Sequence, residues 1–135
     1  MTMRVRVPPS AHMKITTKSQ ALHADKPEGL SVDYYLFPEY EVHMNTQQPH
    51  SIQEWHHHAT VWETIVILSG ELIVQWKEDT KEIHQVVTPG DIIETEHTPH
   101  TFLNNTNHPV TFLVIKQLLS GKNKSELLKT DKILD

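Results

Sequence analysis

Short stretches of β-branched and apolar residues, broken by turn-forming residues about every eight to twelve positions, most constrain the fold of this chain. Strands are predicted at 31–37, 40–44, 51–58, 63–68, 72–76, 83–88, 92–95, 101–103 and 110–116. Segments this short and this regularly spaced are typical of an antiparallel sandwich or barrel, so the fold class is predicted to be all-β.

The connections between the predicted strands carry more specific expectations. Gly70 is predicted to close a hairpin between 63–68 and 72–76, because a reversal there places two apolar runs side by side. Near the start, 13–20 is predicted to form an edge strand. Segment 22–30 is predicted to be a loop, since it contains a proline and a glycine.

The two ends of the chain carry signals of their own. Residues 1–12 hold both arginines of the chain, a Pro-Pro pair and no acidic residue, which predicts a cloning-derived leader. A single domain is then predicted at 13–135. Segment 125–129 begins with a serine that can cap a helix, so a short C-terminal helix is predicted there. Ile133 and Leu134 are expected to cover an outer face of a sheet.

A histidine-rich segment points to metal chemistry. Alternate side chains of a strand share a face, so His56 and His58 are predicted to point one way and His57 the other. Four residues separate His58 from Glu63, which leaves room for a turn that returns a second strand alongside the first. Two imidazoles and a carboxylate then converge from adjacent strands. For a histidine pair alone, a solvated surface cluster is the alternative.

A second segment completes the pattern. His100, Phe102 and Asn104 share one face of a predicted strand that follows a Pro-Gly turn. The spacing HxH, four residues, Glu, six residues, Gly resembles the first motif of the cupin superfamily, matched by His56, His58, Glu63 and Gly70. Gly90, His100 and Asn104 match the second motif. The resemblance covers 34–116 and implies a single-domain cupin, whose fold is a double-stranded β-helix or jelly-roll barrel.

The sequence departs from the cupin motifs at their turns. His50 stands where a glycine usually precedes the first histidine by six residues. In the second motif the usual proline and second glycine are missing, and Glu96 and His97 occupy that neighbourhood. The gap between Gly90 and His100 is also one residue shorter than usual. These departures affect the turns and the mouth of the site, where Glu96 and His97 are the candidates for a catalytic role.

The ligand set His56, His58, Glu63 and His100 is predicted to bind one divalent transition metal. Three imidazoles and a carboxylate suit Fe²⁺, Mn²⁺, Ni²⁺, Cu²⁺ or Zn²⁺, whereas Mg²⁺ and Ca²⁺ prefer oxygen ligands. An apolar inner wall is predicted from Ile65, Ile67, Val74, Trp76, Phe102, Phe112 and Val114. Four further histidines are interpreted as surface or structural residues, namely His43, His50, His84 and His108.

Composition argues against several partners and substrates. The chain has no cysteine, which excludes disulfides and thiolate ligands and favours a cytoplasmic protein. Residues 13–135 hold ten lysines, no arginine and seventeen acidic residues, a formal charge of −7, so no nucleic acid partner is predicted. Arginine is the usual bidentate ligand of phosphates and carboxylates, so its absence disfavours such substrates. No apolar run approaches the length of a membrane helix, and no membrane partner is predicted.

Two classes of function remain open. By resemblance, the first is a small metalloenzyme, either a dioxygenase or a lyase or isomerase, acting on a small, largely apolar, oxygen-bearing molecule. The second is a non-catalytic cupin that binds a metal or a small ligand. A homodimer is predicted for both, because small sandwiches have exposed edges that proteins cover or pair. Segments 13–20 and 31–37 are the predicted contributors.

Overall fold

A computed structural model describes residues 13–118 and 132–135 of the chain. Their strands are β1 (Leu22–Lys26), β2 (Leu30–Leu36), β3 (Tyr40–Gln47), β4 (Ser51–Ile52), β5 (His56–His58), β6 (Trp62–Ser69), β7 (Leu72–Glu78), β8 (Lys81–Val87), β9 (Ile92–Glu94), β10 (His100–Asn104), β11 (Val110–Gln117) and β12 (Lys132–Leu134). One turn of 3₁₀ helix spans Lys18–Gln20. The helix predicted at 125–129 lies outside the described residues.

The strands form two antiparallel sheets. One has the order β1-β2-β3-β11-β6-β9, and the other has the order β12-β5-β10-β7-β8 with β4 beside β10. Phe112 of the first sheet meets Phe102 of the second, with ring centroids 6.0 Å apart. The two inner faces therefore enclose one core, and the predicted all-β jelly-roll architecture is confirmed.

Strict alternation along the strands places apolar side chains between the sheets. On β11, Val110, Phe112 and Val114 are buried, while the residues between them are partly exposed. All seven residues predicted for the inner wall lie in this core or pack against it. Burying a side chain of this size stabilises a fold by roughly 1.5–3 kcal/mol, so the wall contributes much of the driving force for folding.

The predicted hairpin across Gly70 is wrong. β6 pairs with β11 and β9, whereas β7 pairs with β10 and β8, so the turn carries the chain from one sheet to the other. Gly70 has φ +82°, and a Cβ there would lie 2.8 Å from the carbonyl oxygen of Pro109. Each of the two strands has one apolar face, and opposing sheets bury both faces against each other.

The assignments near the start of the chain are also corrected. Segment 22–30, predicted to be a loop, forms β1 and a turn at Gly29 (φ +86°), and β1 pairs antiparallel with β2. Segment 13–20, predicted to be an edge strand, contains the 3₁₀ turn instead. Gln20 stabilises that turn, because its side-chain oxygen accepts a 2.8 Å hydrogen bond from the backbone N–H of Thr17. Local capping and pairing with β2 outweigh the weak sequence signals there.

β12 lies beside the strand that carries the histidine pair. It pairs antiparallel with β5, and Ile133 and Leu134 are 40% and 60% exposed. The two residues therefore extend a sheet edge, and the expectation that they cover an outer sheet face is wrong. Among the described residues, no helix is long and apolar enough to cross a membrane.

Candidate metal centre

Two neighbouring strands of one sheet carry the three predicted histidine ligands. On β5, His56 and His58 are buried, while His57 points to the other face and makes a 2.8 Å hydrogen bond with Asp135. On β10, His100 lies directly opposite His56, with ring centroids 4.5 Å apart. Strand alternation, read from sequence, therefore selects the two members of the His-His-His run that the structure buries on one face.

Glu63 reaches these histidines from the facing sheet. The prediction of convergence from adjacent strands is wrong, because β6 and β5 belong to different sheets. Nε2 of His58 lies 3.2 Å from Oε2 of Glu63, and Nε2 of His100 lies 3.6 Å from Oε1. One ligand atom each from His56, His58 and Glu63 falls within 4.8 Å of the others. All four predicted ligands are thus brought together across the interior.

Two of the imidazoles are held in the tautomer that a metal requires. Nδ1 of His56 lies 2.8 Å from the carbonyl oxygen of Glu54, and Nδ1 of His100 lies 2.6 Å from that of Thr98. A carbonyl oxygen only accepts, so both Nδ1 atoms carry the proton and both Nε2 atoms keep a lone pair. Nε2 of His100 is buried without a hydrogen-bond partner among the described residues. A buried lone pair of this kind fits a bound cation.

The protonation states of the ligands also fit a metal. Burial lowers the pKa of His56 to about 4, so its imidazole is neutral near pH 7. Burial opposes the ionisation of Glu63, but its polar neighbours, among them the charge of Lys116 at 3.9 Å, outweigh it and hold the pKa well below its ordinary value. Neutral imidazole and ionised carboxylate are the forms that bind divalent transition metals.

The sequence analysis missed a buried polar row beside the ligands. Lys116 of β11 lies opposite Glu63 on one side and Glu41 of β3 on the other, and its Nζ is 3.9 Å from Oε2 of Glu63. Burial lowers the pKa of Lys116, while the charges of Glu63 and Glu41 oppose that shift. One signal was present, since the residues of β3 alternate polar and apolar. The apolar set faces outward, however, and periodicity alone does not show which face is buried.

His43 belongs to this polar surface, although it was interpreted as a surface or structural residue. Its Nε2 lies 2.8 Å from Oε1 of Glu41, and its ring packs edge-on against Tyr34 at 4.6 Å. Burial lowers the pKa of His43 to about 4, and the charge of Lys116 adds to that shift. His43 is therefore a neutral, buried imidazole directed into the interior.

Two cavities adjoin the ligands. The inner cavity, of about 100 Å³, is lined by His56, His58 and Glu63 together with His43 and Lys116. An outer groove of about 390 Å³ lies against β7, β8 and β9, and His100 lines it. The four-residue cluster thus contributes side chains to both cavities, three to the smaller one and His100 to the larger groove.

The two candidate catalytic residues occupy different places at this groove. Glu96 is exposed and lines it, as expected for the mouth of the site. His97 packs edge-on against Trp62, with ring centroids 5.7 Å apart, and does not line either cavity. Only Glu96 is therefore placed to meet a molecule in the groove.

Comparison with known families agrees with the motif pattern. Residues 33–116, more than half of the chain, match the family model described as a cupin domain. The chain belongs to the cupin family. Among curated proteins, none matches this cupin in sequence.

Solved structures show the same fold. A cupin-superfamily sugar phosphate isomerase from Silicibacter pomeroyi is 21% identical, with a TM-score of 0.58, over 73% of this chain and 70% of its own. The cupin domain of a transcriptional regulator from Enterobacter cloacae is 23% identical, with a TM-score of 0.56, over 67% and 98%. Oxalate oxidase in complex with the substrate analogue glycolate is 16% identical, with a TM-score of 0.62. That match covers 77% of this cupin and 59% of the oxidase.

The departures from the cupin motifs coincide with left-handed backbone. His50 has φ +54°, Glu96 has φ +46° and His97 has φ +60°. Glycine adopts this region without steric cost, while other residues lose roughly 1–2 kcal/mol each. The chain therefore keeps the turn geometry that a glycine serves at His50, and it carries strain in the loop just before His100.

Asn104 has a structural role in this cupin. Its Nδ2 donates to the carbonyl oxygens of Gln47 (3.1 Å) and His108 (2.8 Å), and its Oδ1 accepts from the backbone N–H of Thr106. These bonds tie the turn after β10 to the end of β3. Asn104 shares a strand face with His100 but lies at the opposite end of the strand from the ligands.

Proposed function

We propose that this cupin binds one divalent transition metal through His56, His58, Glu63 and His100. The observation that carries the proposal is the buried Nε2 of His100, which has no hydrogen-bond partner in the described part of the chain and lies near a carboxylate that also faces His58. An orphaned imidazole lone pair beside a buried carboxylate costs free energy without a cation to bind. Fe²⁺, Mn²⁺, Ni²⁺, Cu²⁺ and Zn²⁺ all accept such ligands.

We further propose that the centre is catalytic and acts on a small oxygen-bearing molecule. A metal in such a site supplies Lewis acidity toward a bound oxygen. Four protein ligands leave positions open in five- or six-coordinate geometry, and two cavities adjoin the ligands. The neighbouring isomerase and oxalate oxidase share only the fold with this chain. They support isomerisation and oxidation as candidate reactions for such a centre. Dioxygenase-like oxidation is the leading candidate, and a lyase or isomerase reaction is the second.

Each group around the site has a defined task in this proposal. The carbonyl oxygens of Glu54 and Thr98 hold the imidazoles of His56 and His100 in place. Apolar side chains such as that of Phe102 form one side of the inner cavity, against which the apolar part of a bound molecule can pack. Glu96 at the groove is the remaining candidate for proton transfer.

Elemental analysis and a reactivity screen test the proposal together. Purified full-length protein is expected to hold about one transition metal ion per chain. After anaerobic reconstitution with each of the five metals, hydroxy acids, diketones and catechols are screened for O₂ uptake and product. Turnover with one metal supports catalysis. Stoichiometric metal with no turnover, together with a ligand sphere completed by protein atoms, supports the non-catalytic alternative.

We also propose that the protein is a homodimer. β1 forms one edge of its sheet, and Leu22 and Leu36 of the β1–β2 hairpin are 61% and 52% exposed. Two exposed leucines on a hairpin at an open edge favour pairing with a second copy. Light scattering at micromolar concentration is expected to give twice the chain mass, and a monomer would contradict the proposal.

A further inference from the structure

The inner cavity beside the ligands has a cationic rim. Lys26 of β1 and Lys132 of β12 line the cavity from edge strands of the two different sheets. Neither makes an ion pair with another residue in the described ranges. Lys116 lines the same cavity between Glu41 and Glu63, whereas Lys132 is exposed and Lys26 is half-buried. The uncompensated positive charge therefore lies at the rim, where an entering molecule meets it first.

Most carboxylates near the cavity already interact with neighbouring protein groups. Glu63 belongs to the metal ligands, and Glu41 lies against His43 and opposite Lys116. Glu28, in the turn after β1, is the other carboxylate that lines the cavity. Three ammonium groups thus share the lining with two carboxylates, and a divalent metal adds two further positive charges. The balance favours an anion.

Asn45 adds a hydrogen-bond acceptor to this cavity. The residue is 7% exposed and lines the cavity, and its Oδ1 has no hydrogen-bond partner among the described residues. A buried amide oxygen without a partner costs about 1–3 kcal/mol, so it marks a place where a donor belongs. A hydroxyl group on a ligand can supply this donor without adding positive charge beside the lysines.

The cavity is also small, and apolar side chains line one side of it. Its volume of about 100 Å³ corresponds to roughly three water molecules at liquid density. Phe102, Phe112 and Val114 form its apolar side. The volume therefore favours a small molecule with few heavy atoms.

We propose that the inner cavity binds a small hydroxy carboxylate, with its carboxylate toward the lysines and its hydroxyl donating to Asn45. This inference deepens the proposed function by naming a substrate class, and it depends on that function only for the bound metal. It also revises the expectation from sequence that the lack of arginine disfavours carboxylates. Lysines from three separate strands supply the charge instead.

Calorimetry with three small probes tests the ligand class. Full-length protein loaded with Zn²⁺ is titrated with glycolate, acetate and ethylene glycol. Glycolate is expected to bind about tenfold more tightly than acetate, which lacks the hydroxyl, and far more tightly than the uncharged diol. Ethylene glycol binding as tightly as glycolate would overturn the proposal.

Variants assign the binding to the named residues. Lys26→Met combined with Lys132→Met is expected to weaken glycolate and acetate by about tenfold, with metal content unchanged. Asn45→Leu is expected to abolish the difference between glycolate and acetate, which separates the amide from chelation by the metal. Lys81→Met, exposed on β8, is the matched control and should leave every affinity unchanged. Equal effects of the control and the double variant would overturn the assignment.

The outcome also separates this inference from the metal proposal. If elemental analysis finds no bound metal, the proposed function fails, and the same titrations are run on metal-free protein. Glycolate binding that still depends on Lys26, Lys132 and Asn45 then supports the anion site alone. If the protein binds metal but substitution of these residues leaves its glycolate affinity unchanged, the proposed function stands and the hydroxy carboxylate site is wrong.

Discussion

The inner face of one sheet differs completely between its two ends. At one end, Lys116 lies across β11 between Glu41 and Glu63, so a single row holds three charged side chains. Four residues further along the same two strands, on the same inward face, Phe112 lies opposite Ile67, and both are 1% exposed. Both ends are buried and are built from the same strands. Only the side chains differ.

The difference separates folding from function within one sheet. Burial of Phe112 and Ile67 stabilises the fold directly, by roughly 1.5–3 kcal/mol for each side chain. Burying the charged row around Lys116 brings little or no net stability, because desolvation offsets the attraction between its charges. A row that costs this much is expected to serve the ligand cluster that it adjoins. Substitutions at the two ends should therefore fail in different ways.

Removing a ligand should produce the largest effect on metal binding. His100→Ala and His56→Ala are each expected to lower metal affinity by more than the roughly hundredfold cost of losing a partner outside the coordination sphere. His57→Ala should keep full metal content, because His57 points to the opposite face. Elemental analysis of the purified variants measures both. Stoichiometric metal in His100→Ala would show that the ligand assignment is wrong.

Truncation at the apolar end should act on stability instead. Phe112→Ala is expected to lower the free energy of unfolding by about 3–5 kcal/mol, because the cavity it leaves cannot collapse in a closed core. Denaturant unfolding measures the loss, and the folded fraction should still bind metal. Thr111→Ala, on the outward face of the same strand, is the control and should cost far less. A folded Phe112→Ala protein without metal would break the separation of the two ends.

Acid should weaken the polar end selectively. The pKa of His43 is about 4 in the folded protein and about 6.5 when unfolded, so the unfolded chain binds more protons between these values. Stability of the metal-free protein is therefore lost as pH falls from about 6.5 to 4, with roughly 3 kcal/mol from His43.

His43→Gln isolates this contribution. The variant is expected to show a flatter dependence of unfolding free energy on pH over that window, even if its stability near pH 7 is lower. His84→Gln, on an exposed position of β8, should keep the wild-type slope. Equal slopes for the wild type and His43→Gln would mean that His43 is not a buried, neutral imidazole.

The smallest expected effect concerns the loop before His100. Glu96→Gly is expected to raise the free energy of unfolding by about 1 kcal/mol, because it removes a left-handed non-glycine residue. Thermal unfolding measures the gain. Glu71→Gly, at an exposed position outside the left-handed region, should give no such gain. If Glu96→Gly is less stable than the wild type, Glu96 makes interactions that outweigh its backbone strain.

The convergence of the candidate ligands could be predicted from the sequence because the faces of short strands follow local rules. Alternation along one short strand places His56 and His58 on the same face and His57 on the other, whatever the strand pairs with. His100 could be predicted as the third imidazole because it follows the Pro-Gly turn at the spacing of the second motif. The wrong hairpin at Gly70 shows the limit of such reasoning, since a reversal in sequence does not reveal whether the chain pairs back or crosses to another sheet.

The polar surface of β3 could not be predicted for a related reason. Its alternation is as clear as that of β11, yet a period of two is unchanged when the strand is turned over. Hydrophobicity alone favours Val42 and Met44 on the inward face. The structure places His43 and Asn45 inward, where His43 makes a hydrogen bond with Glu41 and Asn45 lines the inner cavity.

The sequence by itself determined the fold class, the family and the four side chains that converge on the candidate metal centre. These properties depend on periodicity and spacing along the chain, which are the same whatever the order of the strands in the sheets. Only the tertiary structure decided that Glu63 faces the histidines from the opposite sheet. The same holds for Lys26, Lys116 and Lys132, which meet at one cavity. Contacts between distant strands depend on sheet order, because each strand pattern is compatible with several neighbours.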